Sequence, residues 1–200
     1  NDFAVENIGD TVKDLAGQGT DRNLARKYYG EGEQVYVDAV DARARDPQAD
    51  LDSAFLGAAK KFRAAAKRWP DSALEEDALF RAGESYFLAM RYAKANDLFE
   101  QLLKKYPNTK YLEFVGARRF VIAKYGLNWY QAEQPSFYQF NLVDSKRPTS
   151  DPFGHAVRVF DRMRLDDPTG KLADDATIAA ANAHLAAGDY QRADQFYTDL

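Results

Sequence analysis

The sequence contains no cysteine, only two histidines and no long apolar run among its 200 residues. Without cysteine these residues can form no disulfide, no thiolate metal site and no cysteine nucleophile. No stretch approaches the roughly 20 consecutive apolar residues that a membrane-spanning helix needs. The chain opens with Asn1 instead of methionine and shows no signal peptide, so we expect it to be a processed or internal piece of a longer product.

Signs of nucleic-acid binding and of catalysis are also missing. The chain carries 27 Lys and Arg against 31 Asp and Glu, whereas a nucleic-acid-binding domain normally shows a basic patch or stripe. The glycine-containing run at residues 17–19 lacks the lysine of a phosphate-binding loop, and neither His155 nor His184 has a metal-ligand spacing. The acidic pairs stand at helix starts, where they favour the helix dipole. We therefore predict no enzyme activity, no cofactor, no metal and no nucleic-acid partner.

What the sequence does contain is a repeated spacing of alanine, an aromatic residue and proline. The aromatic residue follows the alanine by four positions, and the proline follows the aromatic residue by eight. Alanine and the aromatic ring lie one turn apart on one helix face, and proline then ends the helix. The pattern occurs in full three times and in part once, at Ala58-Phe62-Pro70, Ala95-Phe99-Pro107, Ala156-Phe160-Pro168 and Ala193-Tyr197.

The spacing of the prolines predicts an insertion in the third repeat. Pro70 and Pro107 are 37 residues apart, but Pro107 and Pro168 are 61 apart, an excess of 24. We place the insertion at about 127–152, between a helix at about 109–126 and a partner helix at about 153–166. Asp151 followed by Pro152 is a typical start for that partner helix. The fourth proline is expected at position 205, so the printed chain should stop within a repeat.

The first repeat is irregular. We predict helices at about 21–45 and 51–69, because a proline-containing break at residues 46–48 separates two amphipathic stretches. A short amphipathic segment at 1–20 is expected to cap the end of the array. The repeats are then 21–70, 71–107, 108–168 with its insertion, and an incomplete 169–200.

Residues 78–107, ALFRAGESYFLAMRYAKANDLFEQLLKKYP, resemble a tetratricopeptide repeat. Gly83, Tyr86, Ala95, Phe99 and Pro107 fall on the signature positions. Ala82 departs from the pattern, because leucine is usual there. The resemblance implies an all-α fold, an α-solenoid in which helix hairpins form a right-handed superhelix. Small residues and aromatic rings should form its core, and the rings expected there are Phe62, Tyr86, Phe99, Phe160 and Tyr197.

Within the repeat proteins, residues 50–200 are similar to the outer-membrane assembly lipoproteins, a component of the β-barrel assembly machinery. The similarity lies in units longer than 34 residues, in junctions such as WPDSALEEDAL and DPTGKLADDA, and in the long insertion. It implies a scaffold on the periplasmic face of a bacterial outer membrane, whose partners are an assembly subunit or unfolded substrate segments. That family is anchored by a lipidated N-terminal cysteine, which this sequence lacks, and typically has about five repeats.

Three alternatives stay open. The chain could be a general peptide-binding adaptor with no role in barrel assembly, in which case a cytoplasmic location is also open. It could resemble the periplasmic cell-division coordinators, which share such repeats. It could also be the helical-repeat part of a larger enzyme.

The resemblance also suggests where a partner would bind. In this family the first helix of each repeat lines a concave groove. By register, the groove residues are Phe80, Glu84, Phe87, Leu88, Val121, Lys124 and Tyr125. The insertion adds the aromatic residues Trp129, Tyr130, Phe137, Tyr138 and Phe140, which we expect to fold back and contact Phe87 or Tyr125. The alternative is that they form an arm that a partner covers.

Overall fold

Eight α-helices account for most of residues 19–133 and 151–200, the parts of the chain that the computed structural model describes. No strand occurs within these two stretches. The all-α prediction is confirmed, and the succession of helices joined by short turns is consistent with an α-solenoid of helical hairpins. The helices are α1 (Arg22–Arg45), α2 (Asp52–Arg68), α3 (Ala73–Leu88), α4 (Tyr92–Lys105), α5 (Leu112–Glu133), α6 (Pro152–Asp166), α7 (Ala173–Ala186) and α8 (Tyr190–Thr198).

One predicted helix boundary is wrong. We expected the first helix of the third repeat to end near residue 126, but α5 continues to Glu133. The first seven residues of the predicted insertion are therefore helical, because the run from Leu127 to Glu133 contains no proline or glycine to end the helix. The proposed capping segment lies outside the described residues except for its last two positions. Residues 134–150, with three of the insertion aromatics, lie outside them entirely.

The helices end where the repeated prolines predict. Trp69, Tyr106 and Asp167 each follow the last residue of a helix and precede a proline. Their backbone angles are almost the same, with φ between −127° and −145° and ψ between 73° and 76°. A following proline disfavours the helical region for the residue before it. The three copies of the sequence pattern therefore end their helices in the same way.

Helix starts are capped by side chains from the same junctions. Ser72 Oγ accepts a hydrogen bond from the Glu75 N–H, and Glu75 Oε2 accepts one from the Asp71 N–H. This arrangement satisfies N–H groups that the first helical turn leaves without partners. Asp151 Oδ1 likewise accepts a hydrogen bond from the Gly154 N–H at the start of α6. The predicted start of α6 is thus confirmed.

The chain divides into two compact units, at residues 1–89 and 90–200. In the first unit α1 packs along α2, and the seam on α1 consists of the small residues Ala25, Gly32 and Ala39, seven positions apart. Phe55 and Phe62 from α2 are fully buried. Small residues on one helix let the other approach closely enough for these rings to fill the space.

The second unit contains α4 to α8. Its main apolar cluster brings together α5, α6 and α7 around Phe160, which is fully buried, and Met163. Phe120 from α5 meets Phe160 edge to face, with 5.4 Å between ring centroids. From α7 the cluster takes mostly alanines, and this allows α7 to lie close to its neighbours. Residues of three different helices therefore pack in one cluster with an aromatic ring of the repeat pattern.

The core prediction is confirmed at four positions and wrong at one. The rings of Phe62, Phe99 and Phe160 are fully buried and Tyr86 is 5% exposed, but Tyr197 is 41% exposed. Tyr197 lies on α8, which packs against α7, and its hydroxyl donates a hydrogen bond to Asn182 Oδ1 at 2.6 Å. No described helix covers the other side of α8, so the register position alone does not bury the ring.

Candidate functional site

The predicted groove residues of the first unit do not form an open surface. Phe80 and Glu84 on α3 are buried, at 7% and 6% exposure, and Phe87 is half-buried. Leu88 packs against a small apolar cluster that contains Phe55. Binding of a partner by these four residues stays a prediction, and a partner would reach Phe80 or Glu84 only after their surroundings moved.

The predicted groove residues on α5 are in a different environment. Val121 is 47% exposed and Lys124 is exposed, so both can meet a partner. Tyr125 is half-buried and packs edge to face on Tyr92 of α4, with 5.1 Å between the ring centroids. Burial, together with the neighbouring Tyr125, raises the pKa of the Tyr92 hydroxyl. Val121 and Lys124 therefore belong to an accessible surface, whereas Tyr125 supports the packing of α5 on α4.

Sequence analysis missed the exposed residues of α7 that correspond to these positions of α5. The repeat offset of 61 residues aligns Ala117, Val121 and Lys124 with three residues of α7. These are Ile178, 40% exposed, Asn182, which is exposed, and Leu185, 47% exposed. Applying the same register to the fourth repeat would have found them. We call the six residues the open face: Ala117, Val121, Lys124, Ile178, Asn182 and Leu185.

Only two of the five insertion aromatics lie within the described residues. Trp129 and Tyr130 are on the last two turns of α5 and are half-buried. The ring of Tyr130 lies 5.2 Å from that of Phe153, near the start of α6. The predicted contact of the insertion with Phe87 or Tyr125 would involve Phe137, Tyr138 and Phe140, which lie outside the described residues.

A buried arginine is the most unusual feature of the second unit, and sequence analysis missed it. Arg119 on α5 is 1% exposed. Its Nη1 donates to Asp166 Oδ2 of α6 at 2.6 Å, and its Nε donates to Asn96 Oδ1 of α4 at 3.3 Å. Its Nη2 lies 3.5 Å from Glu100 Oε1. A buried guanidinium needs such partners, because an unpaired buried charge is strongly unfavourable.

The repeat register could have pointed to this arginine. Arg119 occupies the position of Ala82 in the second repeat and Ala180 in the fourth. A long charged residue in a position that elsewhere holds alanine must either reach solvent or find buried partners. The structure shows the second outcome, and the side chain links the first helix of the third repeat to the helices on both sides of it in sequence.

A cavity of about 270 Å³ lies beside Arg119, between the C-terminal ends of α4 and α6 and the N-terminal ends of α5 and α7. Its walls are mostly apolar and come from all four helices and the turn before α7. Leu103, Leu112, Met163 and Leu172 provide most of the apolar surface, and Arg119 and Asp166 add a polar patch. The Lys171 Nζ donates to Glu113 Oε1 at 2.6 Å between two exposed lining residues.

The two histidines have structural surroundings. His184 is 3% exposed, stacks on Phe196 and meets Phe153 edge to face. It therefore fills the packing position that Tyr86 fills in the second repeat. Burial lowers the pKa of both His184 and His155. In the described stretches, no cluster of three histidine or carboxylate side chains could hold a metal ion.

Comparison with known proteins agrees with the repeat architecture. Residues 77–109 match the family model of the tetratricopeptide repeat. The chain contains a tetratricopeptide repeat. No curated protein and no solved structure shows significant similarity. The match covers most of α3, from Asp77 onwards, all of α4 and the turn after it, and these are nearly the same residues that carried the resemblance. No helix in the described parts of the chain is long and apolar enough to cross a membrane.

Tetratricopeptide repeats generally bind protein partners, and their family is typically one of non-catalytic scaffolds. The repeat match therefore supports a general role in protein interaction for this chain. A fold does not specify a partner, because unrelated functions occur on the same architecture.

Proposed function

We propose that this protein is a non-catalytic scaffold that binds a segment of a protein partner along the open face of α5 and α7. The observation that carries the proposal is the exposure of Val121, Ile178 and Leu185 at 47%, 40% and 47%. Three large apolar side chains are exposed on two helices of one unit, each at a different one of the three register positions that α5 and α7 share. Grouped apolar side chains at a surface are typical of an interaction site.

The open face suits an extended or helical segment with mixed chemistry. Lys124 and Asn182 lie between or beside the apolar residues and can bind acidic or backbone groups of a partner. Asn182 already accepts a hydrogen bond from the Tyr197 hydroxyl, which holds its amide in place. An apolar surface with a few fixed polar groups gives both affinity and orientation.

A more specific proposal concerns the partner and the cellular location of the protein. We propose that the partner belongs to the β-barrel assembly machinery and that the protein works on the periplasmic face of a bacterial outer membrane, through a lipid anchor on its full-length form. The support is the resemblance of residues 50–200 to the outer-membrane assembly lipoproteins. The general peptide-binding adaptor is favoured over this if the partner is a protein unrelated to the envelope.

Site-specific photocrosslinking tests both the proposed binding surface and the proposed identity of the partner. A photoreactive phenylalanine derivative is placed at Val121 or at Ile178, and for comparison at Arg162, which is exposed on α6. The proposal predicts one discrete adduct from Val121 and Ile178 and none from Arg162, with the barrel-forming subunit identified in it by mass spectrometry. Equal adducts at all three positions would contradict binding at the open face. A discrete adduct with a protein from outside the envelope would contradict the assembly role and support the adaptor.

A further inference from the structure

The cavity beside Arg119 adjoins the open face. Ala117 belongs to both, since it lines the cavity and lies one turn before Val121 on the exposed side of α5. A peptide that follows the exposed side of α5 towards its N-terminus therefore reaches the cavity mouth. Phe114, one turn before Ala117, is 66% exposed and extends this apolar surface further.

The size of the cavity fits a single side chain. Small-molecule sites usually enclose about 300–1,000 Å³, and an apolar cavity of about 150 Å³ can hold benzene. At about 270 Å³ the cavity beside Arg119 has room for one large apolar side chain but not for a typical cofactor. A Cβ atom added at Gly116 would meet no atom within 4 Å, so the space above this glycine is open.

The charge around the cavity determines what can flank that side chain. Glu113, Asp166 and Asp167 line it, and Asp174 and Asp175 follow directly in the first turn of α7. Among the lining residues, Arg119 and Lys171 oppose three carboxylates, which leaves a formal charge of −1. Arg119 is paired with Asp166 and Lys171 with Glu113, which leaves Asp167, Asp174 and Asp175 outside these two ion pairs.

We propose that this cavity receives one large apolar side chain, such as phenylalanine or leucine, from a partner segment in which basic residues flank it. The inference rests on the proposed function, since it names the chemistry of the segment that the open face binds. The apolar walls recognise the central side chain by excluding it from water. The surrounding carboxylates attract the lysines or arginines on either side, and this selects against acidic segments.

A short peptide and one cavity-filling variant test the proposal. The probe is acetyl-GKFKG-amide, titrated into the chain and followed by amide chemical shifts in two-dimensional NMR. The variant is Gly116→Leu, whose side chain has room to enter the cavity. The matched control is Gly30→Leu on α1, where an added Cβ also meets nothing within 4 Å. We expect saturable shifts at residues 113–117 and 170–173, affinity at least tenfold weaker in Gly116→Leu, and unchanged affinity in Gly30→Leu.

Altered peptides separate the apolar part of the recognition from the charged part. We expect acetyl-GKAKG-amide to produce no saturable shifts and acetyl-GEFEG-amide to bind at least threefold more weakly, with a smaller difference in 0.5 M salt because salt screens exposed charges. Shifts elsewhere in the chain, or binding of either altered peptide as tightly as the probe, would overturn the proposal.

A second protein variant should strengthen peptide binding instead of weakening it, and it places no new side chain in the cavity. Lys171 is 83% exposed, so Lys171→Ala should leave the fold intact while it removes a positive charge from the mouth. We expect it to bind acetyl-GKFKG-amide two- to fivefold more tightly, and equal or weaker binding would count against the proposal. If crosslinks from Val121 persist unchanged in Gly116→Leu, the open face binds its partner without the cavity, so the proposed function stands and this inference fails.

Discussion

The Nη1 atom of Arg119 donates a hydrogen bond to Asp166 Oδ2 at 2.6 Å, joining the two helices that flank the insertion of the third repeat. The two residues are 47 positions apart in the sequence. Arg119 is 1% exposed at its side chain, whereas Asp166 is 29% exposed and keeps some contact with solvent. The pair therefore combines a fully desolvated cation with a partly hydrated anion, and losing the cation leaves a cavity next to an uncompensated carboxylate.

Replacing this arginine should destabilise the protein strongly. We expect Arg119→Ala to lower the free energy of unfolding by about 3 kcal/mol, because it removes the buried pair and the packing of the side chain together. Urea unfolding followed by circular dichroism measures the change. Arg162→Ala, an exposed change on α6, should stay within about 0.5 kcal/mol of the parent chain. An equally small effect for Arg119→Ala would mean that the pair does not hold α5 and α6 together.

Two glycines on α1 should respond in opposite directions to the same substitution. A Cβ at Gly32 would lie 3.2 Å from the ring of Phe62, which is fully buried, whereas a Cβ at Gly30 would meet no atom within 4 Å. We expect Gly32→Leu to cost about 2 kcal/mol through overpacking. Gly30→Leu should stabilise the helix by about 0.5 kcal/mol, since leucine is the better helix former. Thermal unfolding of both variants gives the comparison, and the same sign for both would contradict close packing of α1 on α2.

Two aromatic residues at the same repeat position should differ in their contribution to stability. Phe160 is fully buried and Tyr197 is 41% exposed, although both stand four residues after the alanine of the pattern. We expect Phe160→Ala to cost about 3–5 kcal/mol. Tyr197→Ala should cost less than about 1 kcal/mol, because it removes a half-exposed ring and one hydrogen bond to Asn182. Chemical denaturation of the two variants decides the point, and similar losses would mean that α8 is covered in solution.

Stability should fall when the solution is made mildly acidic. Burial lowers the pKa of His184 below its ordinary value of 6.5, and Arg192 lowers it further, while Asp189 opposes the shift. The unfolded chain therefore binds more protons than the folded chain just below pH 6.5, so the free energy of unfolding decreases as the pH falls from about 7 to 5.5. The His155 pKa is also lowered, mainly by burial and then by Arg158, and adds to the same trend.

His184→Tyr separates the two contributions, since tyrosine stands at the equivalent position of the second repeat and does not titrate in this range. We expect this variant to show a shallower dependence of the unfolding midpoint on pH between 7 and 5.5. The remaining slope should be removed by the additional change His155→Gln. A pH dependence that is unchanged in His184→Tyr would show that the buried imidazole is not the source.

The circular dichroism spectrum should be dominated by helix. The described residues form eight helices and no strand, and the prediction of this fold rested on the repeated alanine, aromatic and proline spacing. We expect the double minimum of an α-helical protein in the far ultraviolet. A spectrum with strand character would contradict the sequence-based fold and the structure alike.

The helices and their ends could be predicted from the sequence because the signals are local. A proline acts on the residue before it, so the three repeated prolines end α2, α4 and α6 whatever packs around them. A capping side chain acts within one turn, as Ser72 does for the Glu75 N–H. The predicted end of α5 was wrong because it rested on repeat length alone and on no local signal. Nothing between Leu127 and Glu133 stops a helix, and α5 continues to Glu133.

The accessible surface was decided by the tertiary structure. Glu84 and Val121 occupy the same position in successive repeats, yet the carboxylate is 6% exposed and the apolar side chain is 47% exposed. Hydropathy would predict the reverse. Local sequence determines which residues share a helix face, but the exposure of that face depends on the elements that pack against it. The same reason explains the burial of Arg119, whose partners Asn96 and Asp166 lie 23 and 47 residues away in the sequence.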